Sequence, residues 1–227
     1  MTRRPGRTLR PGTIRRSPVI IIIHMKLLKH LSVLSVVGGF AVTAHATAFF
    51  QAALWAPEPQ LVPTTESVAG IRLELYGENK NVSGLEIGLF NVTTGNFVGV
   101  TGIIIIPSIF NKVEGTTTGI QFGLLNVTKG EVLAWQAGWI NIYESKATGL
   151  QMGFVNWGGE GVKADFTGLQ IGLINTANNA KGVQIGFINY AETLQGLQIG
   201  LWNEVNSREW DSFKPLPKVF PFINVGF

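Results

Sequence analysis

Residues 168–203 read GLQIGLINTANNAKGVQIGFINYAETLQGLQIGLWN, and the phrase Gly-x-Gln-x-Gly-x-x-Asn occurs three times within these 36 residues. Inside one unit, 168–175, the alternation is strict. Leu169, Ile171 and Leu173 fall on one face, and Gly168, Gln170 and Gly172 fall on the other. Side chains that change face at every second position specify a β-strand, because successive Cβ atoms of an extended chain point to opposite sides. No stretch after Thr47 sustains a helical period.

The phrase runs through most of the chain. Clear copies begin at Gly84, Gly119, Gly149, Gly168, Gly182 and Gly196. AWQAGWIN, from Ala134, replaces the first glycine with alanine, and GIIIIPSIFN, from Gly102, is degenerate but keeps its asparagine at Asn111. GIRLELYGEN, from Gly70, is a divergent leading copy, and the start-to-start spacings are 14, 18, 17, 15, 15, 19, 14 and 14. A period this short holds about one strand and a turn, less than helical-repeat or propeller units need. Turn-forming and charged residues fall between the units, at 112–114, 129–131, 144–146, 160–165, 178–179 and 192. Arg72, Glu74 and Glu86 are the exceptions that place charge on strands, and all three share the glycine/glutamine face.

This pattern leads us to expect an all-β repeat domain over 70–227, a small closed antiparallel β-barrel of roughly 10 short repeat strands. Its Leu/Ile face would meet lipid. Its other face would form a polar lumen lined by Arg72, Glu74, Glu86, Gln121, Gln136, Gln151, Gln170, Gln184 and Gln198. The alternative is a β-solenoid with one repeat per coil. There the Leu/Ile face fills the core, and Asn126, Asn141, Asn156, Asn175, Asn189 and Asn203 stack as a hydrogen-bonded ladder at a corner. Three features favour the barrel: the closing VFPFINVGF, with Phe227 as a terminal aromatic assembly signal; an apolar position on the would-be outer face of every unit; and Trp55, Trp157, Trp202 and Tyr190 near strand ends. Two features oppose it. The spacings do not alternate cleanly as the long and short loops of membrane barrels do, and identical single-strand repeats stack more naturally in parallel than antiparallel. Parity adds a further constraint. Antiparallel strands need odd loops for a 14-residue offset and even loops for 15, and both offsets occur; parallel strands carry no such requirement.

The chain has 227 residues, 45% hydrophobic and 14% charged, with a mean hydropathy of +0.25. That balance points toward a membrane-associated or heavily packed protein. The net charge of +4 misleads: eight of the 18 Lys and Arg precede Thr47 and no Asp or Glu does, so from Thr47 onward 10 basic residues face 14 acidic ones, about −4. A nucleic-acid partner is therefore not expected. The early basic block belongs to a segment that reads as a secretory signal over 25–46. MKLLKH (25–30) supplies a positive start, LSVLSVVGGFAV an apolar run too short to span a bilayer, and Ala44-His45-Ala46 a cleavage site after Ala46. Residues 1–24 are then an over-extended start or a basic leader. Residues 47–69 are an N-terminal strand, FFQAALWAP, and a lead-in broken by Pro57, Pro59 and Pro63. That strand could pair with the closing strand, or the segment could serve as a plug.

Chemistry is sparse after the signal. All three histidines, His24, His30 and His45, lie before Thr47, and the chain has no cysteine. Histidine- or cysteine-based nucleophilic sites and the common zinc sites are thereby excluded from the mature chain, as are disulfides and a lipid anchor at a signal cysteine. Glu74 and Glu86 form the only paired carboxylates on a common face, and with Arg72 they read as a self-satisfying charge cluster rather than a catalytic pair. We expect no catalytic residues, cofactor, metal or identifiable small-molecule ligand.

The units GLQMGFVN, GLQIGLIN, GVQIGFIN and GLQIGLWN resemble those of a family of uncharacterised bacterial surface-repeat proteins, which carry tandem G-[LV]-Q-[IM]-G-x-x-N strings between turns. The resemblance covers nearly all of the chain after the signal. It implies a bacterial outer-membrane or cell-surface setting and no reaction. The expectation for function is thus a non-enzymatic structural or interaction protein. Its partners would be outer-membrane lipid and the barrel-assembly machinery; the alternatives are a soluble surface-exposed solenoid binding module and a small pore.

Overall fold

The computed structural model describes residues 48–159, 164–207 and 218–226. The expected leader, its cleavage point and Phe227 lie outside the described residues. Among the described residues all regular structure is β: β1 (Ala48–Trp55), β2 (Val68–Asn79), β3 (Val82–Thr93), β4 (Phe97–Thr101), β5 (Ser108–Val113), β6 (Thr117–Thr128) and β7 (Val132–Ala137). These are followed by β8 (Ile140–Tyr143), β9 (Ala147–Met152), β10 (Val155–Gly158), β11 (Phe166–Ile171), β12 (Ile174–Ile185), β13 (Ile188–Val205) and β14 (Val219–Gly226).

The repeats wind as a β-solenoid of about nine turns. Each turn contributes a first segment carrying Gly-x-Gln, a corner at the second glycine, and a second segment carrying the asparagine. Pairing between turns is parallel and in register. Gly168 pairs with Gly149 and Gly182, Gln170 with Gln151 and Gln184, and Asn175 with Asn156 and Asn189. The expected closed antiparallel barrel is therefore not the fold. Parallel, in-register stacking places each residue on its own kind in the next turn, which an antiparallel neighbour cannot do. It also removes the parity problem, because a coil has only to return to the same column and the turn absorbs 14, 15 or 19 residues alike.

The sidedness expected for a solenoid is also corrected. The Leu/Ile face does not fill the core: Leu173, Phe187 and Leu201 are 45%, 57% and 58% exposed, whereas Gln170, Gln184 and Asn175 are fully buried. The physical reason is the thinness of the interior. Gly168 has φ +132°, and an added Cβ would lie 2.1 Å from the Gly149 carbonyl oxygen; at Gly172 it would lie 2.4 Å from Gly153 O and 2.9 Å from the Asn156 amide nitrogen. Such a slot has room for flat amides stacked at the strand spacing of about 4.8 Å, and not for branched aliphatics. Apolar packing retreats to the opposite end of each coil. There Val68, Val82, Phe97, Val132, Ala147, Phe166, Ala180 and Leu194, each two positions before a glycine of the leading column or its alanine equivalent, are buried; the last five cluster with Tyr143, and Val82 and Phe97 with Val113.

Both ends are finished differently from the body. β1 pairs with β2 in parallel, Gln51 against Arg72, rather than with the closing strand. The proline-containing lead-in folds back over the outer edge of β1: Leu61 N donates to Ala52 O at 3.0 Å, Leu54 N to Pro59 O at 3.1 Å, and Val62 N to Gln51 Oε1 at 2.8 Å. Prolines are tolerated there because an edge cover need not supply every ladder N–H. At the far end β14 turns antiparallel against β13.

Candidate functional site

All of the expected lumen residues except Glu74 share one inward column, which reads Gln51, Arg72, Glu86, Thr101, Gln121, Gln136, Gln151, Gln170, Gln184, Gln198 and Asn224; Glu74 lies in register with Gly88 in the next inward column. They line no lumen. Each glutamine Nε2 donates to the Oε1 of the preceding turn at 2.8–2.9 Å, from Gln136→Gln121 through Gln198→Gln184. A second ladder runs the other way. Each asparagine Nδ2 donates to the Oδ1 of the following turn at 2.7–2.8 Å, from Asn91→Asn111 to Asn189→Asn203. Over most turns that Nδ2 also reaches a backbone carbonyl just before the next corner glycine, as Asn175 does to Ile185 O at 2.9 Å. The two rows of amide dipoles oppose each other. Fully paired, such a network fixes register, and its members would be costly to orphan. The ladders end on Gln121 Nε2 and Asn91 Oδ1, which lack a hydrogen-bond partner among the described residues.

Beyond Gln121 the column changes character. Arg72 Nε lies 3.0 Å from Glu74 Oε2 and its Nη2 2.6 Å from Glu74 Oε1, while Nη1 lies 3.0 Å from Glu86 Oε2. The glycines at 77 and 88 make room, since an added Cβ would fall 1.8 Å and 2.6 Å from Glu74 side-chain atoms. Burial pushes the Glu74 carboxyl up to about 8, against the lowering pull of Arg72 and with the added push of Glu86. Burial raises Glu86 as well. One cation cannot neutralise two buried carboxylates, so the trio holds a proton at neutral pH. The trio is closed off from solvent, and its geometry is that of an internal plug for the end of the ladder. Tyr143 does similar work further along: its ring lies over Gly158, and its hydroxyl donates to Thr176 O at 3.0 Å.

The surface that remains for function is the outside, and it is sharply divided. At the corner edge, one large apolar residue follows each second glycine: Leu124, Trp139, Phe154, Leu173, Phe187 and Leu201 in the last six turns, all at least 39% exposed. Flanking them are Met152, Ile185 and Ile199 on the first segments and Ile140, Ile188 and Trp202 on the second. A shallow furrow of about 950 Å³ runs between these rows over Gly153, Gly172, Gly186 and Gly200. At the opposite edge, the turns and the strand residues beside them carry Glu78, Lys80, Lys112, Glu114, Lys129, Glu131, Glu144, Lys146, Lys181 and Glu192. Lys112 and Glu114 pair there at 2.9 Å, which holds Glu114 below the usual carboxylate range. Nine turns at about 4.8 Å make the apolar edge about 40 Å long, more than the scattered apolar patches of ordinary soluble surfaces.

Sequence reasoning found the inward column but assigned the outer rows either to lipid around a barrel or to a solenoid core. The signal that could have separated the edges is present: apart from the first two units, charges fall between units, and the residue after the second glycine is always apolar. The search of protein-family models, of curated proteins and of solved structures found no match.

Proposed function

We propose that this chain is a non-enzymatic β-solenoid serving as a docking module at the bacterial outer membrane or cell surface, exported by a signal peptide cleaved after Ala46. The observation that carries this reading is the division of the exterior into a continuous apolar corner edge and a charged turn edge. An edge of that length is stabilised only when something covers it. The sealed Arg72–Glu74–Glu86 trio supports a structural rather than catalytic use of the ionisable residues, and the amide ladders leave the small-pore alternative without a conduit. The test is labelling of intact cells with a membrane-impermeant amine reagent, followed by boiled and unboiled gel mobility. Modification of Lys112, Lys129, Lys146 and Lys181 on intact cells, with no heat-dependent mobility shift, is the expected result. Labelling that appears only after lysis refutes the surface placement.

A further inference from the structure

The coil between β4 and β5 breaks the pattern at the apolar edge. Other turns pass the corner with a glycine and one apolar residue; here residues 102–107, GIIIIP, form an outward excursion. Two backbone bonds close it, Ile103 N to Ile106 O at 3.1 Å and Ile106 N to Ile103 O at 2.9 Å. Ile104 and Ile105 at its tip are 81% and 86% exposed. Turn tips ordinarily carry glycine, asparagine or aspartate, so nothing in the turn's own geometry calls for isoleucine here.

We propose that the apolar edge rests in the hydrocarbon layer of a lipid bilayer, with the Ile104–Ile105 tip inserted below the headgroups as an anchor. The proposal rests on the docking reading above and names its partner. Three features select hydrocarbon over a protein. The edge offers almost no hydrogen-bonding groups, because its backbone is already paired (Leu173 N to Phe154 O, Ile188 N to Leu173 O), whereas protein interfaces carry roughly one hydrogen bond per 100–200 Å². The tip protrudes from a corner edge, a shape that a fluid acyl layer accommodates and that a second copy of the same edge does not. Trp139 and Trp202 stand exposed along the edge, and the Trp202 indole reaches back to Glu204 at 3.2 Å, an amphipathic placement suited to a membrane–water boundary. The turn-edge charges are mixed in sign, so attraction to anionic headgroups contributes little.

The test is flotation of the chain, purified from exporting cells, with vesicles of phosphatidylethanolamine and phosphatidylglycerol and, separately, of phosphatidylcholine. Binding to both, a blue shift of indole emission quenched by acyl-brominated lipid, and insensitivity to 1 M salt are expected. I104D/I105D, on a tip outside the wound body, should weaken partitioning at least about 100-fold while leaving the far-UV spectrum and urea midpoint unchanged. Partitioning that salt abolishes, or that the tip substitution leaves intact, overturns the proposal. So does absence of flotation. If the unbound chain is instead a dimer that F187S dissociates, the docking reading survives with a second copy as occupant. If it neither floats nor associates, and F187S is retained at the cell surface like wild type, the docking reading falls too.

Discussion

The glutamine ladder makes a prediction about coupling that separates a wired core from a merely packed one. Gln170 is fully buried, donates to Gln151 Oε1 at 2.9 Å and accepts from Gln184 Nε2 at 2.8 Å. Alanine at 170, which fits the slot, orphans Gln151 Oε1 and leaves the Gln184 amide only its long bond to Tyr190 O at 3.5 Å. At about 1–3 kcal/mol per buried polar group that loses its partner, Gln170→Ala should cost about 3 kcal/mol. Gln184→Ala orphans Gln170 Oε1, leaves the Gln198 amide only Glu204 O at 3.3 Å, and should cost about the same. The double variant again strips a partner from only two groups, Gln151 Oε1 and the Gln198 amide, because the bond between the substituted rungs vanishes with both partners. It should therefore cost about 3 kcal/mol rather than about 6, a coupling of about 3 kcal/mol. In urea unfolding followed by far-UV circular dichroism, each of the three variants should lose a similar increment. In thermal melts each should fall by roughly 6–12 °C, at 2–4 °C per kcal/mol for a domain of this size. Additive losses would refute the ladder as the source of the core's specificity.

The leading glycines should be intolerant of any side chain: Gly168→Ala meets the Gly149 carbonyl at 2.1 Å in a left-handed backbone and should cost about 3 kcal/mol or more, while Ala134→Gly, in the same column, should cost about 1 kcal/mol or less, both read from urea midpoints. Because the Glu74 carboxyl sits near 8 when folded and near its ordinary 4.5 when unfolded, stability should be greatest below pH 4.5, decline as pH rises toward 8 by up to about 1.4 kcal/mol per pH unit, and level off above. Glu74→Gln should flatten that decline and raise stability at pH 8; an unchanged slope would show that the trio holds no proton. Tyr143→Phe removes a buried hydrogen bond to Thr176 O at 3.0 Å and should cost about 1–2 kcal/mol by the same assay.

Much of the architecture was legible because it is written locally. Strict alternation in 168–175 identifies strands, the short period limits each unit to a strand and a turn, and the recurrence of Asn126 through Asn203 anticipates a ladder, which the structure extends back to Asn111 and Asn91. The inward grouping of Arg72, Glu74 and Glu86 with the glutamines was also readable, since parity along a strand assigns faces without any knowledge of neighbours. The lead-in at 47–69 was not readable. Its strand and prolines describe a segment compatible with several partners, and only pairing with β2 and the bonds from Leu61 and Val62 make it an end cover.

What the sequence by itself determined is that this protein is built from one amphipathic strand unit, with amides and glycines on one face, aliphatics on the other and, beyond Arg72, Glu74 and Glu86, charge kept between the units. What only the tertiary structure decided is how those strands pair and which face goes inside. Alternation is symmetric: it states that two faces differ, and the usual preference for buried aliphatics then points the wrong way. Parallel in-register winding brings glycine against glycine backbone, as at Gly168 and Gly149, and narrows the interior to a slot. In that slot, stacked planar amides can satisfy one another turn after turn, while the bulkier leucines and isoleucines are left on the outside.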